Sequence, residues 1–167
     1  MKSQNQKASD QINQALAEKI RTAAGRPVGK TSIEATTPAG DVTVVVEDAD
    51  RLGLLAGPVA ARREGGRPAS VGAQAQEAVR QLDYLQEPLA VIESEERKGR
   101  AILRSALPRT AGGGREYNEA VLDGGSAITI RRYRAEQGSR RRPVPSNLSR
   151  ETLGRLADDL LDILNED

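Results

Sequence analysis

The stretch LAVIESEERKGRAILRSALPRTAGGGREYNEAVLDGGSAITIRRYR, residues 89–134, decides the fold. Four short runs of strand character follow one another in it, at 89–95, 101–107, 116–122 and 127–134. They are rich in β-branched, aliphatic and tyrosine side chains, which suit a pleated, half-buried surface. Glu96-Arg97-Lys98-Gly99 joins the first two runs and Asp123-Gly124-Gly125 the last two; both are hairpin-turn compositions. The segment 108–115, with glycines at 112–114, reads as a flexible loop between the pairs. Sequential short hairpins predict an antiparallel meander. The order of strands beyond hairpin neighbours stays open.

Upstream, 69–86 carries Val71, Ala75, Val79, Leu82 and Leu85 along one helical face, and Pro88 stops the helix. Residues 57–68 hold two prolines and three glycines and read as a linker or mobile loop. Leu52 and Leu55, three apart, suggest a short helix over 48–55. The run VTVVVE at 42–47 and the run at 30–36 form a second hairpin about Pro38-Ala39-Gly40-Asp41. A helix over 9–24, capped by Ser9 or Asp10, presents a narrow stripe of Ile12, Leu16 and Ile20; it packs either on its own domain or on a partner. Residues 1–8 are polar and are expected to form a disordered tail.

Downstream, Ser149 is the expected N-cap of a last helix. Leu148 and Leu153 stand at the two positions of a hydrophobic staple, and Leu156, Leu160 and either Ile163 or Leu164 continue the buried stripe. The fold class is therefore α+β, an antiparallel sheet (hairpin plus four-stranded meander) packed with two or three helices, within a single domain spanning 9–167. In layout alone this resembles small secretion-chaperone-like domains.

Composition narrows the function. The 167 residues include no His, Cys, Trp or Phe. Without His the side chain that titrates near neutral pH is missing. Without Cys there is no thiolate nucleophile, zinc cluster or disulfide. GRPVGKT at 25–31 approaches a phosphate-binding loop, but it is one residue short and follows a helix instead of a strand. The pairs Asp158/Asp162 and Glu93/Glu95 read as solvated faces. No catalytic residue, cofactor, metal site or small-molecule substrate is assigned. No apolar run approaches membrane-spanning length and no signal-peptide core follows Met1, so a cytoplasmic, non-membrane location is expected.

One feature stands out of a chain whose formal net charge is only +1. Between 131 and 142, Arg131, Arg132, Arg134, Arg140, Arg141 and Arg142 face Glu136 alone, with Tyr133 among them. These six arginines and Tyr133 are the candidate partner-binding residues. The expectation is a non-catalytic protein-binding or assembly module, acting on a protein partner or by homo-oligomerisation. The alternative is a nucleic-acid-binding accessory protein that uses the same arginines on phosphates, with Tyr133 stacking on a base. The arginines can also simply solvate an edge strand. Residues 151–167 carry six acids against Arg155, so attraction between the basic loop and the acidic helix, within one chain or between subunits, is a further reading.

Overall fold

A computed structural model of the chain describes residues 6–64 and 70–166. Its elements are α1 (Ala8–Ala23), β1 (Thr31–Thr37), β2 (Gly40–Ala49), β3 (Leu54–Arg62), α2 (Val71–Gln81), β4 (Leu89–Glu95), a short 3-10 turn (Glu96–Lys98), β5 (Arg100–Ser105), β6 (Arg109–Ala111), β7 (Gly114–Asp123), β8 (Ala127–Glu136), β9 (Arg142–Val144), β10 (Ser146–Leu148) and α3 (Arg150–Asn165). The strands form one antiparallel sheet in the order β1-β2-β3-β8-β7-β5-β4, with β6, β9 and β10 as short additions. The fold is α+β, and it consists of two meanders, β1–β3 and β4–β8, joined edge to edge by β3 and β8. Among the described residues no helix is long and apolar enough to cross a membrane.

Period-two alternation along the strands sets the core. Ile33 and Ala35, Val42, Val44 and Val46, Val59 and Ala61, Leu103, Ala120 and Leu122, Ile128 and Ile130 are buried in one cluster with the helices. α3 contributes Leu153, Leu156, Leu160, Leu161, Ile163 and Leu164 to it. Each such side chain stabilises the fold by about 2 kcal/mol before entropy is set against it. α1 lays Ile12 and Leu16 on the same cluster, so its stripe packs within its own domain. The side chains of opposite parity, such as Ser32, Glu34 and Thr36, stay exposed, and Thr43, Val45, Ala60, Val121 and Thr129 are only half-buried. All three helices therefore cover one face and leave the other open.

The local signals place most element ends. Ser149 caps α3, its hydroxyl accepting from the Thr152 amide at 3.0 Å. Ser70 caps α2 in the same way, accepting from Ala73 at 3.3 Å. α1 starts at Ala8, one residue before the expected caps, and Asp158 of α3 accepts from the Ser9 amide at 3.0 Å. α2 begins and ends inside the expected 69–86, though Leu82 and Leu85 beyond its end are buried. Residue 69 and residues 1–5 of the expected tail lie outside the described residues, and Ala8, counted in that tail, is buried.

Three expectations are corrected. The segment 48–55 is no helix: β2 runs to Ala49, and Asp50 closes a turn, its Oδ1 accepting from the amides of Leu52 at 2.7 Å and Gly53 at 3.1 Å. The linker expected at 57–68 is, through Arg62, the second half of the central strand β3, while 65–68 lie outside the described residues. The loop expected at 108–115 is a hairpin in which β6 pairs Arg109 with Glu116 and Ala111 with Gly114.

Gly57 and Pro58 mark a fork in the sheet. β3 and β8 pair directly only from Val59–Ile130 to Arg62–Ala127. Before Val59, β3 pairs with β10, and beyond Ile130, β8 pairs with β9, so residues 142–148 fill the gap. Proline has no N–H to continue a ladder. Register shifts between β2 and β3 on either side of Val46 absorb the extra residues.

Both outer edges are blunted. Gln11 donates its amide to the Thr36 carbonyl at 2.8 Å and accepts from the Thr36 amide at 3.0 Å, standing on the edge of β1 where a further strand would pair. β4 carries a register shift between Val91 and Glu93, with Glu93 and Glu95 along its length.

Candidate binding surface

Strand alternation splits the arginine cluster. Arg131 and Tyr133 point to the open face, whereas Arg132 and Arg134 share the parity of Ile128 and Ile130 and turn to the helix side.

Arg132 is 6% exposed. Its two terminal nitrogens each donate to Glu87 at 2.9 Å, one of them also to Asn118 at 3.2 Å, and its Nε lies 3.4 Å from Glu116. The Asn118 amide in turn donates to the buried Ser105 hydroxyl at 2.8 Å. Glu87 sits in the turn before β4, so this bidentate pair ties that turn to the centre of the sheet. Stripping one partner from a buried pair of this kind costs about 3–5 kcal/mol, because a charge is left without a counter-charge. Arg134 is held by Glu116 at 3.2 Å, Glu136 at 2.7 Å and the Gly112 carbonyl at 3.0 Å. Arg132 and Arg134 thus do not belong to the exposed surface that their spacing suggested; their charge is spent inside the fold.

The open face carries a different constellation. Tyr117 of β7 lies directly across from Tyr133 of β8, with ring centroids 6.0 Å apart and planes inclined by 29°. The guanidinium of Arg141 stands 4.0 Å from the centre of the Tyr133 ring, that of Arg131 5.5 Å from it, and that of Arg104 5.8 Å from the Tyr117 ring. Such cation–π contacts contribute about 0.5–1 kcal/mol each at exposed sites. Two of the chain's three aromatic side chains therefore sit together on its uncovered face.

Glu119 stands one row away from the tyrosines on the same face, between Arg104 and Arg131 in register. It accepts from Arg104 Nε at 2.7 Å and from Arg141 at 2.6 and 3.2 Å, and it is only 5% exposed. Burial pushes its carboxyl up, but the hydrogen bonds and charges of Arg141 and Arg104 outweigh that and hold it below the usual carboxylate range. Arg140 and Arg142 are exposed and make no ion pair among the described residues.

No known protein family, curated protein or solved structure matches this chain.

Within the chain, among the described residues, the acidic helix does not receive the basic loop. The loop and strand arginines pair with Glu87, Glu116, Glu119 and Glu136, whereas Arg155 pairs with its own helix's Asp159 at 3.6 Å and Glu166 meets Arg80 at 3.7 Å. Glu87, Arg104, Tyr117 and Glu119 were not picked out from the sequence. For the last three, cross-strand register was the available signal: once 100–105 and 114–123 pair, alternation puts Arg104, Glu119 and Arg131 in one row and the two tyrosines in the next.

Proposed function

We propose that the chain is a non-catalytic module that binds a protein partner on the open face of its sheet. The observation that carries this is the one-sided covering of the sheet: three helices on one face, and on the other a bare surface with a tyrosine–arginine cluster. The row Thr43, Ala60, Thr129, Val121 and Ile102 crosses the middle of that face with small or aliphatic side chains. The two tyrosines and Arg104, Arg131 and Arg141 flank it, and Tyr and Arg are the side chains most often found anchoring protein interfaces. Three arginines against Glu119 leave this flank positive, which suits a partner that is apolar at the centre of its contact and acidic beside it. The blunted edges favour the face over strand addition.

Nucleic acid is the second reading, since tyrosines on an antiparallel sheet also serve as base-stacking platforms. Here Arg141 already stands over Tyr133, and the Glu119 carboxylate occupies the arginines that would otherwise take phosphates. Both features favour protein.

The test places a photo-cross-linking residue at Val121, on the open face, and separately at exposed Ala73 on α2. Adducts to one protein at 121 and not at 73 are expected, and Tyr133→Ala should weaken binding of that purified partner by about tenfold or more. Adducts only to a second copy would make the face a self-association surface. Cross-linking confined to position 73, or an unchanged affinity for Tyr133→Ala, overturns the reading. Oligonucleotide binding that falls steeply with salt, about 0.9 log units per log unit of salt for each duplex phosphate neutralised, would replace it with the second one.

A further inference from the structure

The fork between β3 and β8 opens, on the helix side, into a cavity of about 390 Å³ bounded by β3, β8, β10, the turn after α2 and the first turns of α3. We propose that this cavity binds a carboxylate carried on an aliphatic chain. Its volume falls in the range of small-molecule sites, roughly 300–1,000 Å³. Its wall is two-sided. Val59, Ile130, Leu85, Leu148 and Leu156 make an aliphatic half. Arg109 and Arg132 stand on the other half, Arg131 borders it only at the fork because its side chain turns to the open face, and no aspartate or glutamate is in the lining.

The three arginines are not equivalent. Arg132 is already neutralised by Glu87. Arg131 is committed to the Tyr133 ring on the open face, so the unmatched guanidinium at the cavity is that of Arg109, which has no carboxylate within ion-pair distance among the described residues. Arg109 lies across from Glu116 in register, but the oxygens of Glu116 go to Arg132 and Arg134. A half-apolar cavity with an unmatched guanidinium group and no carboxylate in its lining selects an anion with an apolar body. A carboxylate matches the planar guanidinium fork in two parallel hydrogen bonds. A bare phosphate would leave the aliphatic half without a partner. Ser146, Asn147 and Thr152 add hydroxyl and amide groups to the polar side.

Such a carboxylate comes from a free aliphatic acid or from the C-terminus of a polypeptide, and the two separate in one experiment. Amide NMR spectra of the labelled chain are recorded while adding hexanoate, hexanamide, a short peptide ending in leucine with a free C-terminus, and the same peptide amidated. Saturable shifts confined to 146–152 and the neighbours of Arg109 are expected with at least one of the acids. The matching amide should bind about tenfold more weakly, and Arg109→Gln should lower the affinity of the acid by a similar factor. Hexanoate binding alone identifies a free acid as the ligand, and peptide binding alone identifies a chain terminus. The proposal fails if neither acid saturates, if the amides bind as well as the acids, or if Arg109→Gln binds unchanged. Arg109 is exposed and outside the core, and the acid–amide comparison needs no variant at all. The open-face reading does not depend on Arg109, so the two stand or fall separately.

Discussion

Glu119 illustrates how much a single register position decides. Arg104 comes from the neighbouring strand and Arg141 from the loop after β8, and between them they hold its carboxylate charged and cover it. A carboxyl whose pKa is lowered on folding contributes stability that is fully present above its unfolded pKa and is lost as pH falls through the folded one. Glu119→Gln should therefore be less stable than the parent by an amount that is constant above about pH 5 and shrinks below about pH 4. Urea denaturation across that range measures it; a difference that stays flat in acid would mean that packing, not charge, holds the cluster. Arg131 to Arg134 show what was legible at this scale and what was not. The sequence marks the basic run plainly. Whether each arginine meets solvent or Glu87 depends on strand parity, and Glu87 lies 45 residues from Arg132, beyond the reach of any local pattern.

At the scale of elements, local chemistry was readable where one segment sufficed. The Ser149 cap, the Leu148 and Leu153 staple positions, and the four runs within 89–134 all describe short stretches whose energetics are their own. β3 was not readable, because Gly57 and Pro58 interrupt it and a proline argues against a central strand. The fork reconciles the two: the proline sits where the β3–β8 ladder ends, and β10 takes over the pairing before it. Gly40 belongs to the same class of hidden constraint. The turn around it was expected, but its tight approach to β3 was not. Gly40 has φ +141°, and a Cβ there would lie 2.3 Å from the Arg62 carbonyl oxygen. Gly40→Ala must shift backbone and adopt a conformation that L residues avoid, at a cost of about 2 kcal/mol or more. The expected readout is a fall in Tm of roughly 4–8 °C in a thermal melt. An unchanged Tm would mean that the β1–β2 turn relaxes freely away from β3.

At the scale of the whole molecule, the question is what makes two sequential meanders one body. Directly paired residues of β3 and β8 join them over a short seam, from Val59 to Arg62. That pairing brings together segments about seventy residues apart in the chain, so nothing in the local composition announces it. α3 reinforces the seam from the helix side, packing on β2, β3 and β8 as well as on α1 and α2. Its leucines were legible as a stripe; their role as a clamp across the sheet was not, since it depends on strand order. Leu160 is fully buried at the middle of this helix. Leu160→Ala should cost about 3 kcal/mol through lost burial and the cavity left behind. Because the clamp spans both meanders, hydrogen exchange should quicken equally on either side, at Val44 in β2 and at Ala120 in β7, by roughly a hundredfold. Loss of protection at Val44 with Ala120 unchanged, or the reverse, would show that α3 belongs to one meander and that the sheet opens along the β3–β8 seam.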